Sequence, residues 1–320
     1  MNDNIIILYL IALLNHYKLS SQSALADILG NVSHDRLTRL LHKDFSVQKL
    51  LYALISLCSI LKNGYLIVDG TWLPKAYCDS LPFVKKQYCG RYGVPLIGIS
   101  IVVVIWTDGF WRIPLGLKIW SKGGKSKPDL ALELLSEIRN KLKIKPKFVL
   151  FDCEYSKGTL LKRLDDYGWA YVCGLSSLKY FQGDKVKNYK NKTNWYSKGL
   201  LWYGKKCVVV RNCGRFIASN RLTITPNELK SVYAVRFTIE EFFKVLKQEC
   251  GVACHVQSIT AYTNHLYFSL MDFIVLEDLR ISISGTENIT TIYKLRKSIV
   301  SDPDIVSTPL LERFSDLCVI

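Results

Sequence analysis

Apolar positions recur at helical spacing through the first sixty residues and at strand-like density after them. SALADILG (residues 23–30) is a short apolar-periodic run that stops at Gly30. NVSHDRLTRLLH (31–42) opens on an Asn/Ser capping signal and continues with leucines at 37, 40 and 41. Helix, glycine turn and helix outline either a helix-turn-helix or an ordinary helical hairpin. In the first case Ser33, His34, Arg36 and Arg39 face a DNA groove. KLLYALISLCSIL (49–61) is apolar nearly all round and predicts a buried helix.

From Tyr65 the pattern turns to strands. YLIVDGTW (65–72), VPLIGISIVVVIW (94–106) and FWRIPLGLKIW (110–120) are β-rich runs, the last two joined by Thr107-Asp108-Gly109 as a hairpin. DLALELLSEIRNKL (129–142) predicts an amphipathic helix and KFVLFDCEY (147–155) a buried strand. TLLKRLDDYG (159–168) and WAYVCGL (169–175) add one more helix and one more strand. Three strands with a hairpin, then helix, strand, helix, strand is the order of an RNase H-like fold: an α/β mixed sheet flanked by helices. Residues 176–230 break the pattern and predict a β-rich insertion, a small subdomain. The expected division is a helical N-terminal region carrying the helix-turn-helix outline over 1–64, an RNase H-like domain over 65–280 and a C-terminal tail over 281–320.

YAVRFTIEEFFKVLKQ (233–248) predicts one amphipathic helix with an unusual flank. At about 100° per residue, Tyr233, Arg236, Glu240 and Lys247 fall within roughly one-sixth of the circumference. Val232, Val235, Ile239, Phe242, Phe243 and Leu246 form the neighbouring apolar arc. An amphipathic edge with solvated charges accounts for any one of the four polar residues, and less well for a phenol, a guanidinium, a carboxylate and an ammonium sharing a row.

Charge changes the picture further. Lys and Arg total 43 against 27 Asp and Glu, a net +16 in 320 residues, which favours an anionic partner, nucleic acid first. SKGGKSKPD (121–129), with Lys122, Lys125 and Lys127, is a loop that could follow a phosphate backbone, or a solvated loop. KVKNYKNKTNWY (185–196) mixes lysines with Tyr189, Trp195 and Tyr196, a composition suited to distorted DNA or to a plain surface loop. IIILYLIALL (5–14) and LIGISIVVVIW (96–106) are shorter than the roughly 20 residues of a helical membrane span. Without a signal peptide the ten scattered cysteines read as reduced thiols of a cytoplasmic protein. CGVACH, with Cys250, Cys254 and His255, and His265 beyond, is a conceivable zinc site whose spacing matches no usual ligand pair.

Tyr233-x2-Arg236-x3-Glu240-x6-Lys247, inside IEEFFKVLKQ, resembles the Y-R-E-K signature of bacterial insertion-sequence transposases of the DDE type. The resemblance covers about residues 65–280 and implies two upstream aspartates on adjacent strands. Asp69 in LIVDGTW and Asp152 in FVLFDCEY each follow an apolar run at a strand end, with Glu154 as a fallback for Asp152. It implies that Asp69, Asp152 and Glu240 are catalytic and bind two Mg²⁺ ions, or Mn²⁺ in their place, Asp69 bridging the pair. Tyr233, Arg236 and Lys247 would grip element-end DNA. Phe237 stands where the family often has Trp. The implied activity is cleavage at element ends and strand transfer into target DNA, by a homodimer on paired ends at the bacterial nucleoid. The alternatives are a DNA-binding protein that has lost the reaction and a related nuclease that does not join strands.

Overall fold

The structure, a computed structural model, describes residues 5–15, 21–57, 61–75, 83–89, 93–189, 195–283 and 291–301. Four helices open the chain: α1 (Ile5–Asn15), α2 (Gln22–Leu29), α3 (His34–His42) and α4 (Val47–Leu57). The Ser21 hydroxyl accepts from the Ala24 amide to start α2, and Ser33 does the same for α3 through Arg36. Gly30, at φ 68°, ends α2 in a left-handed turn that costs glycine nothing sterically.

Then follow β1 (Tyr65–Pro74), β2 (Lys85–Cys89), β3 (Val94–Thr107), β4 (Arg112–Trp120), α5 (Lys127–Leu142), β5 (Val149–Phe151), α6 (Gly158–Asp166) and β6 (Tyr171–Leu175). β7 (Tyr180–Phe181) and β8 (Asp184–Lys185) make a small hairpin before β9 (Tyr196–Leu200), β10 (Lys206–Asn212) and β11 (Arg215–Ser219). The chain closes with α7 (Pro226–Ala234), a 3₁₀ turn (Val235–Phe237), α8 (Thr238–Glu249), α9 (Ile259–Ile283) and α10 (Ile292–Ser301).

The sheet order is β2-β3-β1-β5-β6-β11-β10-β9, with β4 also on β3. Antiparallel β4-β3-β1 followed by parallel β5 and β6 is the RNase H-like arrangement. The hairpin between β3 and β4 turns at Asp108, whose carboxylate accepts from the Phe110 and Trp111 amides. β2 is not legible in the sequence, because KKQYC has neither apolar run nor alternation; it pairs with Val94–Gly98, and the Gln87 side chain accepts from Ser100. The expected insertion subdomain is instead a continuation of the main sheet: β11 pairs antiparallel with β6, so the same sheet runs on through β10 and β9. Tyr189 and Trp195 stack on each other, centroids 4.6 Å apart, and both pack on Phe181. They serve an internal aromatic cluster rather than an exposed stacking platform, and residues 190–194 between them lie outside the described residues.

One apolar core runs from α1 to α10. α1, α3 and α4 pack on α9, so the N-terminal helices do not stand apart from the residues after 64. α9 is buried over most of its length, polar residues included, because it is enclosed by α1, α3, α4, α8, α10 and β4. The stretch expected as a tail includes α10, whose Arg296 is 1% exposed and donates to Asp272 at 2.8 Å. Arg296 also reaches the carbonyls of Leu13, Leu14 and Glu249, tying α10 to α1, α8 and α9. Residues 302–320 lie outside the described residues.

His265 is fully buried on α9 between Tyr9 and Gly251. A carbonyl can only accept, so Nε2 carries the proton toward Gly251 and Nδ1 accepts from the Tyr9 hydroxyl, each at 2.8 Å. Burial lowers its pKa from 6.5 to about 4. Below 6.5 the unfolded chain takes a proton that the folded one refuses, so stability falls as pH drops from 6.5 through 4. The expected loss is about 3 kcal/mol. It should appear as the difference between the pH profiles of urea unfolding for the native chain and for His265→Gln; parallel profiles would contradict it.

Candidate active site

Strand register delivers the two aspartates. β1 and β5 pair in parallel with Val68 opposite Phe151, so Asp69 follows within β1 and Asp152 directly past the end of β5. Leu66, Ile67, Val68, Val149, Leu150 and Phe151 are all fully buried, so both faces of this parallel pair lie in the core. Asp69 is not at a strand end as expected. β1 runs on to Pro74 against β3, with Asp69 opposite Val103, and only its pairing with β5 stops there. Asp69 Oδ1 accepts from the Gly70 amide at 2.7 Å, and Asp152 Oδ1 from the Glu154 amide at 2.8 Å.

The helix expected over 233–248 is interrupted. α7 ends at Ala234, Val235–Phe237 form a 3₁₀ turn, and α8 begins at Thr238. A 3₁₀ turn is wound more tightly than an α-turn, so the azimuths of an unbroken helix shift across it. Arg236 and Glu240 still meet across the joint as an i,i+4 pair, but exposure differs along the row. Tyr233 and Arg236 turn inward, at 8% and 6% exposure, while Glu240 and Lys247 stay exposed on α8. The Tyr233 hydroxyl packs against Gly174, where an added Cβ would meet it at 2.9 Å, so glycine there makes the close approach possible.

Arg236 stands between two of the acids. Its Nη1 donates to Asp69 Oδ2 at 3.2 Å and its Nη2 to Glu240 Oε1 at 2.9 Å. Its guanidinium also lies 4.6 Å from the exposed Phe237 ring. Burial pushes the Asp69 carboxyl up to about 6; the Gly70 amide and Arg236 oppose the rise, and the charges of Asp152 and Glu240 add to it. Asp152 is likewise raised, burial first. The charges of Asp152 and Glu240 thus both act on Asp69.

Among the described residues no three Asp, Glu, His or Cys side chains stand close enough together to cage an ion as they are. The donor set nevertheless suits a hard divalent cation. All three acids offer oxygen, Asp69 and Asp152 directly follow the paired residues Val68 and Phe151, and the positive charge joining Asp69 to Glu240 is the Arg236 guanidinium. The cysteine-rich stretch does not assemble. His265 is committed to Tyr9 and Gly251, and Cys250 is a buried thiol whose pKa burial raises.

A family model described as the transposase DDE domain matches residues 64–271. The chain belongs to that family. The DDE-domain match runs from the start of β1 into α9 and takes in Asp69, Asp152 and the α8 acid. Among solved structures, a piggyBac transposase in a synaptic complex with hairpin DNA is similar over 97% of this chain and 71% of its own, with a TM-score of 0.56 and 13% identity. At that identity the likeness is one of fold. The Mos1 strand transfer complex aligns 51% of this chain with 56% of its own at 17% identity and a TM-score of 0.22, too low to carry weight. No curated protein matches the chain.

Around the acids of this DDE-family chain lie residues that the sequence did not single out. Tyr155 is fully buried, its hydroxyl has no hydrogen-bond partner among the described residues, and it presses on Gly70, where an added Cβ would meet it at 2.8 Å. Burial and then the Asp69, Glu154 and Asp152 charges raise its pKa. The only sequence signal was its place three residues after Asp152. Lys127 pairs with Glu154 at 2.8 Å, Lys125 with Glu133, and Lys157 with Asp129 at 3.1 Å. Lys85 and Lys86 on β2 join Lys122, Lys127, Trp120 and Glu154 around a cleft of about 520 Å³. The Lys85 ammonium lies 4.9 Å from the Trp120 ring. Arg36 and Arg39 are exposed on α3, across the fold's N-terminal helices. No helix among the described residues is long and apolar enough to cross a membrane.

Proposed function

We propose that this chain is an insertion-sequence transposase that cuts DNA at its element's ends and joins them to target DNA, with Asp69, Asp152 and Glu240 as the catalytic acids. The observation that carries the reading is the set of three acids: two directly after the paired residues Val68 and Phe151 of a DDE-family sheet, the third tied to the first through Arg236.

Asp69 and Asp152 would hold the ions from the sheet, and Glu240 from the first turn of α8. Bound there, two Mg²⁺ ions, or Mn²⁺, would stabilise charge on the attacking and leaving oxygens of a phosphodiester. The chain's own residues do the rest. Strand pairing fixes the two aspartates to within the stiffness of a buried sheet, so they need little reorganisation when DNA arrives. The cleft at β2 supplies cations beside Glu154, next to Asp152, where a phosphate backbone can run. Lys247, exposed on α8, and Lys122 are offered as point charges to that backbone, as are Arg36 and Arg39 on α3. Two copies of the chain on paired ends, acting at the nucleoid, complete the proposal.

The test is Mg²⁺-dependent nicking of DNA carrying the element's own ends, followed on a sequencing gel. Cuts at the element boundary that vanish with chelator support the reading. Cutting that persists in chelator, or binding with no cutting in either ion, would sink it in favour of a different nuclease or an inactive DNA-binding protein.

The basic cleft has its own test. Lys85→Ala with Lys122→Ala should weaken DNA binding to a similar degree across sequences and lower the salt slope by about 2. An unchanged slope would remove the cleft from the DNA path.

A further inference from the structure

Arg236 is the residue whose placement least resembles a DNA contact. Its side chain is 7% exposed and both terminal nitrogens are spent on acids, Asp69 on the sheet and Glu240 on α8. Its Nε is buried and makes no hydrogen bond among the described residues. A guanidinium so placed gains two charge-assisted bonds at the cost of one orphaned donor. It is held there by the acids, not by a full set of partners.

Two further features make the placement reversible. Arg236 sits in the 3₁₀ turn between α7 and α8, the irregular joint in an otherwise helical stretch. Its second partner, Glu240, has a side chain 55% exposed and so has room to turn. Asp69 and Glu240 each spend an oxygen on Arg236, and the acids do not form an ion cage as they stand. A dication drawn to the same oxygens would meet a fixed positive charge already among them.

We propose that Arg236 is a positioning residue that occupies the cation's place in the metal-free protein, so that divalent-ion binding requires its guanidinium to leave the Asp69–Glu240 pair. Until then it holds Glu240 toward the sheet and offsets the repulsion among the acids. This rests on the reading of Asp69, Asp152 and Glu240 as the metal-binding set. Release couples ion binding to a movement at the α7–α8 joint, beside Tyr233 and Phe237.

The test is Mn²⁺ titrated into the DNA-free full chain and followed by electron paramagnetic resonance, with no cleavage involved. Arg236→Gln should bind Mn²⁺ about tenfold more tightly than the native chain, a typical size for coupling between competing ligands. Arg236→Lys, whose single ammonium cannot bridge both acids, should fall between the two. The sign is diagnostic, because an arginine with a merely structural role would leave Mn²⁺ affinity unchanged or weaken it when replaced. Equal or weaker binding by Arg236→Gln, with Asp69→Asn still abolishing the site, overturns the Arg236 proposal alone. Mn²⁺ binding in the native chain and in Arg236→Gln that is indifferent to Asp69→Asn overturns the three-acid reading itself. Should Arg236→Gln fail to fold by circular dichroism, Arg236→Lys decides, and native affinity in that variant counts against the proposal.

Discussion

Asp69→Asn is expected to abolish Mg²⁺-dependent nicking of element-end DNA, by at least about a thousandfold, while leaving DNA binding within a few-fold of native. Asparagine keeps the shape and one carbonyl oxygen, so strand pairing at Val68 and Phe151 is preserved. What it removes is a charge on which Asp152 and Glu240 both act. Asp69 is the group whose carboxyl is pushed to about 6 by burial and by Asp152 and Glu240 together, which marks it as the shared member of the cluster. Asp152→Asn and Glu240→Gln should fail to a similar degree, and pairing any two should cost little more than one, because the acids act as a unit. Additive losses, or nicking at near-native rate in Asp69→Asn, would remove these residues from the chemistry. The Asp152→Asn result also separates Asp152 from Glu154, which spends its side chain on Lys127 and should tolerate Gln.

The second large effect is on stability. Arg296→Met is expected to cost about 3–5 kcal/mol, read as a lower urea midpoint at unchanged slope. Methionine matches much of the arginine's length but leaves Asp272 buried without the guanidinium, and takes a donor away from the carbonyls of Leu14 and Glu249. Burial already pushes Asp272 up to about 6 with the guanidinium beside it, and removing that charge raises it further. At pH 5 the orphaned carboxyl can take a proton and escape part of the penalty, so the loss should be larger at pH 8 than at pH 5. Adding Asp272→Leu should restore part of the loss, since an apolar pair replaces a buried ion pair cheaply. A loss below about 1 kcal/mol would mean that α10 is not anchored through this residue.

The RNase H-like order was readable because its strands are unusually plain. Val149–Phe151 and Leu66–Val68 are buried on both faces of a parallel pair, and such strands read as continuous apolar runs. Asp-Gly between β3 and β4 specifies a turn by local backbone preference alone. β2 is not readable, because its sequence carries charges and nothing local in it signals its pairing with β3. Residues 176–230 read as a separate subdomain for a related reason. Nothing local in RFIAS says that it pairs with β6 rather than with a sheet of its own. Lys85 and Lys86 carry no local signal for the cleft, because their strand carries none.

Sequence by itself determined the identities and spacing of Asp69, Asp152, Tyr233, Arg236, Glu240 and Lys247, and the burial pressure that brings the first two to neighbouring strands. Those follow from one-dimensional facts: apolar runs choose strands, and register moves in steps of one residue. Only the tertiary structure decided which way the row on 233–248 faces. A periodicity argument assumes one unbroken helix, and the 3₁₀ turn at Val235–Phe237 breaks it by packing rather than by any residue that forbids a helix. Packing buries Tyr233 at the end of α7 and Arg236 in the turn, leaves Glu240 and Lys247 in the open, and sets a guanidinium between two acids that are 171 positions apart in the chain.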